Sequence, residues 1–169
     1  MIVIAIVILS IIMDGLLTNF LSFMVNDLSF FTPFFSLISL ISIFKFYSKD
    51  LNKYYLLAFV TGFIYDLLYT NLLFLNGFLF LLVAIIIKHT YYLIEINYLK
   101  QLILSICIIT IYESIFAILI FIFQLVPITI FDIIYKITHT LIINIIYVEL
   151  LELIVVNFLP KKYKRHRIN

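Results

Sequence analysis

Six apolar stretches follow one another along 169 residues, and no connection between them is long enough to form a domain of its own. A helix needs about 20 apolar residues to cross roughly 30 Å of hydrocarbon, and fewer when neighbours bury one end. The stretches run over residues 2–25, 33–47, 54–69, 77–93, 102–126 and 139–159, the last two stopped by Pro127 and Pro160. With 66% hydrophobic and 12% charged side chains, the chain has too little polar surface to coat a water-soluble globule. The expectation is an all-α integral membrane protein. Its domain is a six-transmembrane-helix bundle over residues 1–160, followed by a basic cytoplasmic tail over 161–169.

Residues 1–13 carry no Lys or Arg, so the first stretch lacks the basic start of a cleaved signal and is expected to stay as a membrane helix. Alternate connections hold Lys45, Lys49 and Lys53, then Lys88 and Lys100, then Lys161, Lys162, Lys164, Arg165 and Arg167. Of the eleven basic residues only Lys136 falls on the other side. That asymmetry predicts an even number of spans with both termini in the cytoplasm. Asn26, Asn76 and Thr129 are then expected in connections on the outer face, and Asn52 and Asn97 on the inner one. The tail, directly after a span, is expected to meet anionic headgroups of membrane lipids, with no nucleic acid as partner.

The third stretch is the weak inserter. Residues 2–25 hold fifteen Ile, Val, Leu or Phe side chains against one carboxylate, Asp14. At roughly −0.5 kcal/mol each against about +3, that helix inserts alone. Residues 54–69 hold eight such side chains against Asp66, so this helix needs the next one as a hairpin partner across the turn from Thr70-Asn71 to Asn76-Gly77.

The chain has no phosphate-binding glycine loop, no nucleophile elbow, and no HExxH or CxxC pair. His89, His139 and His166 are too scattered for a metal site, and Cys107 has no internal partner. No cofactor is expected. What stands out is acid inside the apolar stretches. Asp14, Asp66, Glu113, Glu149 and Glu152 fall within them, whereas Asp27, Asp50, Glu95 and Asp132 fall in connections. Carboxylates in hydrocarbon are costly and face protein or water, so each is a candidate functional residue.

Ala58, Gly62 and Asp66 recur every four residues, with Thr70 just beyond, so one face offers two small residues and then a carboxylate. Small residues at that spacing admit a second helix closely, and the carboxylate can then accept its hydrogen bonds. Packing or partner docking is therefore favoured over proton chemistry, with capping of the adjoining turn as the plainer reading. Thr110, Glu113, Ser114 and Ala117 form a stripe that must turn inward. The last stretch carries Thr140, Asn144 and Tyr147 on one side, then Glu149 and Glu152 three apart. The acidic pair invites an acid-base reading, but no nucleophile or metal set accompanies it. A hydrogen-bonding role is favoured for Glu149, and snorkelling toward the basic tail for Glu152.

The segment Ala58-Phe-Val-Thr-Gly62-Phe-Ile-Tyr-Asp66-Leu-Leu-Tyr-Thr70-Asn71-Leu resembles the central signature of the rod-shape-determining protein MreD family, in which small residues precede an aspartate and a short turn leads into the next helix. Pro33, Glu113 and the short basic tail stand where that family has similar features. The chain departs from the pattern at Ala58, often glycine there, and at Leu73-Phe74 in place of Leu-Gly. The resemblance implies a fold similar to the substrate-binding subunits of energy-coupling-factor transporters. It also implies a non-enzymatic membrane scaffold of the cell-elongation machinery that builds peptidoglycan. Its partners would be an MreC-like bitopic membrane protein and, through it, MreB, RodA and a class B penicillin-binding protein.

The chief rival is a substrate-binding subunit of an energy-coupling-factor vitamin transporter. Those subunits present small residues four apart on the first helix, whereas Ala5 is followed by Leu9. A third reading, a membrane enzyme acting on lipids, would use Asp66, Glu113 or Glu149 and lacks convergent groups.

Overall fold

The second apolar stretch becomes the axis of the molecule. The structure, a computed structural model, describes residues 2–24, 32–70, 73–94, 99–123 and 129–158. Among these it is all-helical, with no strand: α1 (Ile2–Met24), α2 (Phe35–Tyr47), α3 (Leu51–Tyr69), α4 (Leu75–Thr90), α5 (Lys100–Ile122) and α6 (Ile130–Phe158). Helix α2 packs against each of the other five, and every residue from Phe35 to Phe44 is buried. Its sequence explains this, because Leu, Ile and Phe alternate with Ser36, Ser39 and Ser42 all round the helix, leaving no face suited to solvent. The serines keep the girth small. Ser39 donates to the Ser36 carbonyl at 2.6 Å, and Ser42 to Oε1 of Gln101 on α5 at 2.8 Å.

The other helices form a ring. Contacts run from α1 to α3, α3 to α4, α4 to α5 and α5 to α6. Between α6 and α1 the ring is closed by a 2.7 Å hydrogen bond between the Ser10 and Tyr147 hydroxyls. The Tyr147 ring also stacks on Phe35 of α2, with centroids 3.8 Å apart. Two stretches, Lys100–Leu119 and Phe131–Ile154, are long and apolar enough to cross a membrane by length and composition; Val3–Asn19, Phe35–Tyr47 and Leu75–Thr90 are shorter apolar helices.

Several boundaries differ from expectation. Helix α6 begins at Ile130, nine residues before the expected start at His139. A reciprocal cap explains it: the Thr129 N–H donates to Asp132 Oδ2 at 2.9 Å, and the Asp132 N–H donates to Thr129 Oγ1 at 3.3 Å. Asp132, Lys136 and His139 therefore lie on the helix and not in a connection or at its first residue. Asn76 and Gly77, expected in an accessible turn, are buried in the first turn of α4. The basic tail 161–169, with His166, and Val25, Asn26, Asp27, Asn71, Glu95, Asn97, Val126, Pro127, Leu159 and Pro160 lie outside the described residues.

Candidate functional site: carboxylates buried at helix starts

A helix begins with backbone N–H groups that no turn of its own can satisfy. In α2 and α4 the residue at the cap position is a phenylalanine, Phe34 or Phe74, which offers no oxygen. Phe35 and Ser36 in α2, and Asn76 and Gly77 in α4, are buried, so the acceptors for their N–H groups must come from elsewhere in the fold.

For α4 the acceptor is Asp66, one helix earlier. Its Oδ2 accepts the N–H groups of Asn76 at 2.8 Å and Gly77 at 3.2 Å. Its Oδ1 accepts the Asn76 side-chain amide at 2.7 Å and the Thr70 hydroxyl at 2.8 Å. The Asn76 side-chain oxygen, Oδ1, in turn accepts the hydroxyl of Tyr112 from α5. A carboxylate at a helix N-terminus is further favoured by the helix dipole.

Gly62 lets the carboxylate come that close. A Cβ there would lie 2.7 Å from the Asn76 carbonyl carbon and 2.9 Å from Gly77 Cα, well inside van der Waals contact. The obstacle is backbone, which cannot swing aside. Ala58, Thr61, Gly62, Tyr65 and Asp66 are all buried, so the small-residue face is occupied by the chain's own α4.

For α2 the acceptor is Asp14, which projects from the middle of α1. Its Oδ1 takes the Phe35 N–H at 2.7 Å and its Oδ2 takes that of Ser36 at 3.0 Å. Asn144 of α6 completes the site: its Oδ1 accepts the Phe34 N–H at 2.8 Å, and its amide donates to the carbonyls of Thr32 at 3.0 Å and Thr140 at 2.8 Å. Pro33 has no N–H to satisfy at this crowded point. Next to Asp14, Gly15 leaves room for the ring of Tyr69 from α3, whose hydroxyl donates to the Ile11 carbonyl at 2.7 Å.

The third buried carboxylate among the described residues, Glu113 on α5, forms an ion pair with Lys136 of α6: Oε2 lies 3.0 Å from the ammonium, and Oε1 has no hydrogen-bond partner among those residues. Lys136 also stands over the Phe116 ring, 5.4 Å from its centroid. The rest of the predicted α5 stripe does not reach another helix through its hydroxyls. Thr110 and Ser114 donate back to the carbonyls of Ile106 and Thr110 in their own helix.

The candidate residues thus separate into three groups. Ala58, Gly62, Asp66 and Thr70 belong to the α3–α4 cap, Asp14 and Asn144 to the α2 cap, and Glu113 to the α5–α6 ion pair. Glu149 is exposed on α6 and Glu152 is half-buried, so neither joins the buried layer. Sequence reasoning missed Asn76, Tyr112 and Lys136 as members. Lys136 had a signal, since the lone cation on the base-poor side and a mid-helix Glu113 on the preceding stretch invite pairing. No group of three or more His, Cys, Asp or Glu side chains converges among the described residues.

Comparison with known proteins adds no relative: a scan against protein-family models, a search of curated proteins and a search of solved structures each find no match.

Proposed function

We propose that this chain is a multi-pass protein of the cytoplasmic membrane, with six spans and both termini cytoplasmic, that acts as a non-enzymatic scaffold of MreD type in the cell-elongation complex. One observation carries the reading. The residues that resemble that family's signature, from Ala58 through Gly62 and Asp66 to Thr70, are the ones that build the close α3–α4 approach and its cap. A segment under that constraint resembles a family through its packing requirement and not through chemistry. The use of Asp14 and Asp66 supports the same view, because both are committed to fixed backbone donors, which suits a rigid frame.

The partners proposed are an MreC-like single-span protein and, through it, MreB, RodA and a class B penicillin-binding protein. The test is co-purification from the native host combined with removal of the gene. The expected results are recovery of a single-span, coiled-coil protein and rounding of cells that otherwise elongate. Recovery of an ATPase pair instead would identify a transporter subunit and end the scaffold reading. For the non-enzymatic part, Glu149→Gln and Glu152→Gln are expected to keep most function, since an amide still accepts hydrogen bonds. Complete loss in both, at normal protein levels, would point to proton chemistry.

A further inference from the structure

We infer that the Glu113–Lys136 pair, between α5 and α6, holds the headgroup of one phospholipid that brings both an anionic phosphate and a hydrogen-bond donor, as ethanolamine and glycerol headgroups do; the inference rests on the membrane reading above. Among the described residues the three buried carboxylates are not equally satisfied. Asp14 and Asp66 have both oxygens bonded. Glu113 gives Oε2 to Lys136, and its Oε1 meets no donor although the side chain is only 3% exposed.

The cation is also incompletely bonded. An ammonium has three N–H groups. Among the described residues that of Lys136 meets the Glu113 carboxylate and the Phe116 ring, and the side chain stays 27% exposed. An acceptor without a donor and donors without an acceptor therefore lie side by side, since the two oxygens of one carboxylate are neighbours and Lys136 holds one of them. In low dielectric both deficits are costly.

Depth points to the ligand. Lys136 lies five residues after Phe131, where the apolar stretch of α6 begins, or about 7 Å inside it at 1.5 Å per residue. Glu113 lies six residues before Leu119, where the apolar stretch of α5 ends, or about 9 Å inside. Both helices thus set the pair just below the same membrane boundary, the outer one in the proposed topology, within reach of headgroups for a side chain as long as lysine. The neighbouring ends of α5 and α6 expose Ile118, Phe121, Ile122, Phe131 and Ile134, which suit acyl chains and not a water-soluble ligand.

Native mass spectrometry of the full chain in mild detergent tests this, with phosphatidylethanolamine, phosphatidylglycerol and phosphatidylcholine of matched acyl chains added in turn. Choline carries the phosphate without an N–H or O–H donor, so it isolates the share of Glu113. The first two lipids are expected to fill one site, and the choline lipid to bind several-fold more weakly. Lys136→Gln is expected to weaken the ethanolamine lipid about tenfold, the worth of one hydrogen bond to a charged group. Replacing the whole pair, Glu113→Leu with Lys136→Met, leaves no buried charge unpaired and is expected to keep the thermal unfolding transition while abolishing the preference among headgroups. Equal binding of the three lipids, a preference that survives the double replacement, or displacement of the lipid by excess inorganic phosphate overturns the inference and leaves the scaffold reading standing. A chain recovered from the soluble fraction of its host overturns the membrane reading and this site together.

Discussion

Asp66 and the N–H it caps at Asn76 are separated by 10 residues on one hairpin, whereas Asp14 reaches 21 residues ahead to Phe35 and shares its helix start with Asn144 of α6. Both carboxylates solve the same problem, buried first-turn N–H groups behind a phenylalanine at the cap. They differ in how much of the fold must already exist. The α3–α4 cap needs one turn and two small residues, so short-range closure suffices. The α2 cap needs α1, α2 and α6 together, and α6 is the last helix of the chain. The difference separates a self-contained hairpin from an axis that only the finished bundle supports.

The largest test of that contrast is steric. Gly62→Ile drives a branched side chain into the Asn76 carbonyl and is expected to cost at least about 3 kcal/mol, read as the loss of the thermal unfolding transition followed by circular dichroism in detergent. Near-normal stability would mean that α3 and α4 do not meet as closely as Gly62 implies. Under the scaffold reading proposed above, recovery of a single-span partner is expected to fall further with Gly62→Ile than with Asp66→Asn.

Removing the carboxylates comes next. Asp66→Ala strands two backbone amides and the Asn76 side-chain Nδ2, at an expected cost of about 2–4 kcal/mol. Asp14→Ala strands two amides while Asn144 still holds the third, at about 1–3 kcal/mol. Hydrogen exchange sharpens the comparison. Asp66→Ala should release the amides at the start of α4 alone, while Asp14→Ala should loosen Phe35 and Ser36 together with the α6 contact at Asn144. Equal spreading of exchange in both variants would erase the distinction between a local and a shared cap.

Asn144→Leu isolates the contribution of α6. It removes one acceptor and two donations and is expected to cost about 1–2 kcal/mol. Combined with Asp14→Ala, its effect should exceed the sum of the two singles, because the two side chains hold adjacent amides of the same helix start. Strict additivity in a double-mutant cycle would show that the two sites act separately.

The smallest expected effect has the opposite sign. Phe74 adopts φ 68° and ψ −8°, the left-handed region that side chains disfavour. Phe74→Gly is expected to stabilise the hairpin by about 0.5–1 kcal/mol after allowing for the lost stacking on Phe63, whose ring centroid is 4.9 Å away. A destabilised variant would mean that the stack outweighs the backbone strain.

Much of the α3–α4 site was legible before any coordinates. Ala58, Gly62 and Asp66 fall on one face by simple periodicity, and a turn lies immediately ahead, so close packing and turn capping were the natural expectations. Asn76 escaped because a polar Asn-Gly pair reads as an exposed loop, yet its side-chain Nδ2 donates to Asp66 and its side-chain Oδ1 accepts from Tyr112. The early start of α6 escaped because the cap Thr129-Ile-Phe-Asp132 uses aspartate where glutamate is the familiar partner, and because Asp132 and Lys136 look like loop residues in an apolar chain. That displacement carried Lys136 onto the helix and into reach of Glu113.

The chain by itself determined six helices, the acid placed within them and the small-residue face of α3, because these depend on composition and on a period of 3.6 residues. Which helix became the axis was decided only in three dimensions. Residues 35–47 are no more apolar than their neighbours, but α2 is short, ringed with serines and free of carboxylates, so it can be enclosed on every side. Burying its start left N–H groups that only Asp14 and Asn144, far away in sequence, were placed to accept, and a demand of that kind has no local signature.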